Sequence, residues 1–203
     1  MAVLGWLTLA LQIFVVIRNG EQAGEPPIAA VATTLSYFTV LTNLLVAIVS
    51  TALALRRNGG SFLTRPSTVS ATAVYIAIVG LVYSLVLRAL WDPTGLRKVT
   101  DVGLHDVMPI LFVLYWALFV PRGRIGWSQP LLWLIYPLAY IVYTIVRGAV
   151  TGWYPYPFAD VNALGYGTAL FNAALMLAAF YVLGLVVVAI DRMMARSRLA
   201  RAT

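Results

Sequence analysis

Thr39, Thr42, Asn43 and the single histidine, His105, are the side chains of this 203-residue sequence whose types can do chemistry together. A hydroxyl beside an imidazole base is the minimal equipment for acyl transfer through a covalent intermediate. In the run Ser36-Tyr37-Phe38-Thr39-Val40-Leu41-Thr42-Asn43, residues Ser36, Thr39 and Asn43 fall on one helical face, with Thr42 beside them. His105 stands in Asp101-Val102-Gly103-Leu104-His105-Asp106-Val107-Met108-Pro109. Asp101 precedes it by one helical turn and orients the ring if the helix begins early enough, whereas Asp106 points elsewhere on a regular helix. Pro109 has no N–H for the carbonyl of His105, which predicts a free acceptor and an irregular helix start. A purely structural reading stands beside the chemical one. Ser, Thr and Asn are common adhesives between membrane helices, hydroxyls also bond carbonyls of their own helix, and a lone histidine serves as an interfacial anchor.

Other chemistries are excluded by what the sequence lacks. There is no cysteine, so thiol catalysis, disulfides and thiolate metal sites are ruled out, and one histidine makes no multi-histidine cluster. No glycine-rich phosphate loop, internal repeat or low-complexity tract is found. The expectation is a site without metal or cofactor.

The elements that must position these residues are membrane helices. The chain is 62% hydrophobic and only 10% charged, where a soluble domain carries about a quarter charged residues. Apolar runs long enough to cross a hydrocarbon core of roughly 30 Å recur along it. They predict six spans, near 2–17, 30–55, 69–91, 105–121, 130–148 and 168–190, in one integral-membrane domain over 1–203. Continuous runs without strand alternation mean helices rather than a barrel, so the fold class is all-α, a polytopic transmembrane bundle. The first run lacks a basic leader and a small-residue cleavage site, and is read as a retained span.

Charge placement orients the bundle. Arg56, Arg57 and Arg65 lie in the second loop, Arg122 and Arg124 in the fourth, and Arg192, Arg196, Arg198 and Arg201 in the basic tail 192–203. The positive-inside rule puts those loops and both termini in the cytoplasm. Glu21, Glu25, Asp92, Asp101, Asp106 and Asp160 fall to the other face. The net charge of +7 therefore belongs beside anionic lipid and calls for no nucleic acid. Span two enters from the outer face, so Thr39 lies about 15 Å deep. His105 begins its span at that same face, and both sites open to one side.

Arg88, Arg97, Lys98 and Arg147 break the charge bias by lying at or near the outer face. Arg147 continues a polar face of Tyr136, Tyr140 and Tyr143 or Thr144 along the fifth span. One reading has Arg88 and Arg147 binding a carboxylate or phosphate head group, with Tyr140 and Trp153 nearby as substrate-binding residues. The other has the arginines snorkelling to lipid phosphates or pairing with Asp92, Asp101 and Asp160. The outer loop Gly152-Trp153-Tyr154-Pro155-Tyr156-Pro157-Phe158 is either an interfacial aromatic belt or a cap over a lipid-sized cavity.

Three anchors give the chain a family resemblance: Tyr37-Phe38-Thr39 with Thr42-Asn43, Gly103-Leu104-His105 with Pro109, and Gly152-Trp153-Tyr154-Pro155-Tyr156-Pro157-Phe158. In their order and spacing, over most of its length, it resembles the androgen-induced and androgen-dependent family of multispan membrane hydrolases and its bacterial relatives. The resemblance implies hydrolysis of fatty-acid esters of hydroxy fatty acids, with Thr39 as nucleophile and His105 as base. The family threonine precedes an acidic position where this chain has Asn43, so Thr42 stays the alternative nucleophile. The proline after the histidine also stands one position closer. The expected partners are membrane lipids or fatty-acid esters. The rival expectation is a non-catalytic lipid-binding protein or small transporter; protein partners are not legible.

Overall fold

Prolines mark helix starts in this chain, where the N–H that proline lacks ordinarily has no intrahelical acceptor. Pro27, Pro66, Pro109 and Pro130 each stand in the first two positions of a helix. The computed structural model describes residues 1–55 and 61–200, with side chains up to Arg196. Arg56, Arg57, Arg201 and the side chain of Arg198 lie outside the described residues.

The chain divides into two units, Met1–Val120 and Pro121–Thr203. The first holds α1 (Ala2–Gln22), α2 (Pro27–Thr34), α3 (Phe38–Ala54), α4 (Pro66–Val82), α5 (Gly95–Val102) and α6 (Met108–Phe119). A π-helical turn, Tyr83–Leu87, and a 3-10 turn, Arg88–Leu90, extend α4. A second π-helical turn, Gly103–Val107, joins α5 to α6. The second unit holds α7 (Gln129–Trp133), α8 (Ile135–Thr151) and α9 (Val161–Ala200), the last broken at Gly165.

All described elements are helical, and five helices are long and apolar enough to cross a membrane: Ala2–Gln22, Pro66–Leu90, Gly95–Phe119, Gln129–Thr151 and Val161–Arg196. A sixth span exists if α2 and α3, bent by 80°, are taken together. Two expectations need correction. The second span is not one rod over 30–55 but an elbow, and Ser36 lies in the elbow rather than on the α3 face with Thr39 and Asn43. The fourth span begins at Gly95, not at His105. Arg97, Lys98 and Asp101 look like loop in a hydropathy reading, yet they occupy ordinary helical turns of α5.

The elbow is closed locally. The last four carbonyls of a helix lack intrahelical donors; here Val31 O accepts from Leu35 N (2.9 Å), Thr33 O from Ser36 N (3.0 Å) and Thr34 O from Tyr37 N (3.2 Å). Ala32 O, the remaining one, accepts from the Ser36 hydroxyl at 2.8 Å. All four acceptors are satisfied within the elbow, which meets the condition a break inside a membrane would impose.

Packing in the first unit centres on Leu9, Val40, Ala47 and Leu104, with Tyr37 and Leu44 against them. Indole donors add cross-helix ties. Trp6 Nε1 donates to Thr51 Oγ1 (3.0 Å) and Trp116 Nε1 to Ser70 Oγ (2.7 Å). In the second unit the aromatic loop is held by α9, through Asn162 Nδ2 to Gly152 O and Asn172 Nδ2 to Phe158 O, both 2.9 Å. Asp191, fully buried on α9, accepts from the backbone N–H of Gly123 at 3.0 Å.

Candidate functional site

The site is built on the second π turn. Met108 N donates to Gly103 O, five residues back. Continuing that register would pair Leu104 O with the N–H of residue 109, which is proline and has none. The orphaned Leu104 carbonyl is met from another helix: Asn43 Nδ2 donates to it at 3.1 Å. The second amide proton of Asn43 goes to the Thr39 carbonyl at 2.9 Å. One buried amide thus joins the backbone of Thr39 to that of the residue beside His105. Both of its donors are engaged, so in this arrangement Asn43 holds the threonine rather than offering a proton to an oxyanion.

Close approach of neighbouring helices depends on two glycines. A methyl group on Gly80 of α4 would stand 3.1 Å from Pro109 Cβ and 3.3 Å from the His105 carbonyl oxygen. One on Gly103 would stand 2.7 Å from Thr8 Cγ2 of α1. Both are tighter than ordinary van der Waals contact.

His105 is oriented from within its own helix. Its Nδ1 lies 3.0 Å from the Asp101 carbonyl oxygen and 3.2 Å from Asp101 Oδ1. Both neighbours are acceptors, so Nδ1 carries a proton and Nε2 is the nitrogen left to act as a base. Asp101 is 7% exposed, and its Oδ2 accepts from the Tyr83 hydroxyl. The Tyr83 ring also stacks on His105, with centroids 3.9 Å apart and planes 13° from parallel. Arg88 follows, its guanidinium 4.8 Å over the Tyr83 ring, ion-paired to Asp106 and bonded to Ser84 Oγ at 3.3 Å.

Thr39, the second residue of α3, is 8% exposed; Thr42 is completely buried. In the second unit, the Arg147 guanidinium lies 4.5 Å over the Trp153 ring, and Tyr140 meets Tyr143 with centroids 6.2 Å apart. Arg88 pairs with Asp106 rather than with the expected Asp92, Asp101 or Asp160. Tyr83 is absent from the sequence reading altogether. The available signal was a tyrosine hydroxyl at bilayer depth, which must find an acceptor, in a chain with few intramembrane carboxylates.

The arrangement provides a buried hydroxyl near the start of a helix and an imidazole with a carboxylate behind it. Comparison with family models, curated proteins and solved structures returned no match.

Proposed function

We propose that this chain is an intramembrane lipid-ester hydrolase, a relative of the androgen-induced and androgen-dependent family, with six spans and both termini in the cytoplasm. In a bacterial cell it would lie in the inner membrane. The topology rests on the basic residues of the second and fourth loops and the tail. The chemistry rests on one observation: Asn43 bonds both the Thr39 carbonyl and the Leu104 carbonyl, which makes the backbones of hydroxyl and imidazole neighbours.

In this reading His105 Nε2 takes the proton of the Thr39 hydroxyl as its oxygen attacks the ester carbonyl. The tetrahedral intermediate collapses, and the leaving alcohol departs with that proton. Water, deprotonated by the same nitrogen, then cleaves the acyl-threonine to release acid and free enzyme. Asp101 stabilises the imidazolium formed in each half. The first turn of α3 favours the developing negative charge through its dipole. Of the two arginines expected to hold a carboxylate, Arg88 is already paired with Asp106. Thr39 is favoured over Thr42, which is completely buried.

Labelling of the full-length protein by a fluorophosphonate probe tests this. Thr39→Ala and His105→Ala each abolish labelling at unchanged expression, while Thr42→Ala retains it. Full labelling of both of the first two variants sinks the proposal. The second reading, a non-catalytic lipid-binding protein or small transporter, is favoured by Asn43 having no amide proton to spare. An ester-hydrolysis assay on purified protein separates the two: turnover supports the hydrolase, and lipid redistribution without turnover supports the binder.

A further inference from the structure

We propose that Tyr83 is a positioning residue for His105, holding Asp101 with its hydroxyl and the imidazole plane with its ring so that the Asp101–His105 hydrogen bond keeps one geometry. The role rests on the hydrolase reading for its purpose but not for its test.

Asp101 has two carboxylate oxygens with different tasks. Oδ1 faces His105 Nδ1 at 3.2 Å, and Oδ2 accepts from Tyr83. A carboxylate on a helix turns about its terminal bond, which is a broad torsion with no sharp preference. Without a partner on Oδ2, the carboxylate is held against that rotation by its single contact with His105 on Oδ1. The Asp101 carbonyl, 3.0 Å from Nδ1, would then inherit the proton as a neutral hydrogen bond. Such a bond keeps the tautomer but loses the negative charge that stabilises an imidazolium. Tyr83 therefore decides which acceptor His105 faces.

The tyrosine is itself fixed on several sides. It belongs to the first π turn, with Arg88 N donating to its carbonyl five residues back, and it is 3% exposed. Its ring lies parallel to the imidazole. The Arg88 guanidinium rests over it, anchored by Asp106 from the same π turn that carries His105. Two contacts thus tie these adjacent spans, each with one partner in a π turn: Tyr83 of the first with Asp101 of α5, and Arg88 of the following 3-10 turn with Asp106 of the second, and His105 stands between the two aspartates in sequence. An extra residue in each π turn re-aims these side chains relative to a regular helix, a device that recurs at functional sites.

The single histidine makes the test unambiguous. The full-length protein, labelled with ¹⁵N in histidine and held in phosphatidylcholine nanodiscs, has one imidazole Nδ1 proton to observe. In the wild type it is displaced to low field by the carboxylate, and Asp101→Asn removes that displacement. Tyr83→Phe keeps the ring and its stacking but deletes the hydroxyl, and its Nδ1 proton moves toward the Asp101→Asn position. If Tyr83→Phe leaves the proton where the wild type has it, Tyr83 does not position the pair. Where the wild type turns over ester, Tyr83→Phe lowers kcat on the order of tenfold to a hundredfold at unchanged KM. A wild type without turnover, but with the proton shift responding to Tyr83→Phe, sinks the hydrolase reading and upholds the positioning role.

Discussion

The Asn43 amide reaches across to the Leu104 carbonyl at 3.1 Å and fills the acceptor that Pro109 leaves open. A defect in one span is thereby corrected by a side chain in another. That correction sets the distance between the two helices carrying Thr39 and His105.

Replacing Asn43 by alanine strips two buried carbonyls of a donor, and the loss of stability is about 1–3 kcal/mol. Asn43→Asp is worse, because a carboxylate confronts both carbonyls with acceptors only. Thermal unfolding of the detergent-purified variants should rank wild type above Asn43→Ala and Asn43→Ala above Asn43→Asp. An Asn43→Asp protein as stable as wild type contradicts the clamp.

Pro109→Ala supplies the missing N–H. The π turn can then revert to a regular helix, with residue 109 donating to His105 O, and the residues before it rotate relative to α3. Folding should be retained while probe labelling falls by about a hundredfold, the scale on which a 1 Å misplacement acts. Unaltered labelling would show that the π turn is incidental to the site.

Gly80→Ala sets helix propensity against crowding. Alanine favours a helix by about 1 kcal/mol over glycine, but the new methyl meets the Pro109 ring and a backbone carbonyl, neither of which yields easily. Overpacking of this kind costs about 1–3 kcal/mol, so the net effect is a lower unfolding temperature. At Gly103 the obstacle is a single methyl group, Thr8 Cγ2. Gly103→Ala should destabilise alone and recover when combined with Thr8→Ser. Absence of recovery in the double-mutant cycle refutes direct contact.

The Arg88–Asp106 pair lies within apolar spans, where an unpartnered charge is costly. Arg88→Gln and Asp106→Asn should each lower the unfolding temperature, and the double variant should regain much of the loss. If the three variants decline additively, the two side chains act independently.

Hydropathy alone made the membrane helices legible, because long apolar stretches leave few alternatives. It misplaced the fourth span because Arg97, Lys98 and Asp101 are polar, yet hydrogen bonding in a helix is indifferent to side-chain polarity. The elbow was missed for the converse reason. Ser36 fits helical spacing with Thr39 and Asn43, but its hydroxyl can equally satisfy the Ala32 carbonyl and end a helix. Pro109 did announce an irregular turn, and Asp101 was within reach of His105 as its spacing required. Tyr83, and the pairing of Arg88 with Asp106, were beyond a one-dimensional reading, since each partner lies 18 residues away on the adjoining helix.

The elbow between α2 and α3 has one more meaning, for how the chain is made. Its four terminal carbonyls are all satisfied by donors from residues 35–37. No later helix and no water is needed to cover bare backbone there. The bent segment can therefore enter the bilayer as it leaves the insertion machinery, ahead of the spans synthesised after it. His105 comes later in the chain than a threonine whose surroundings are locally complete, and the Asn43 bond joins the two once their helices pack.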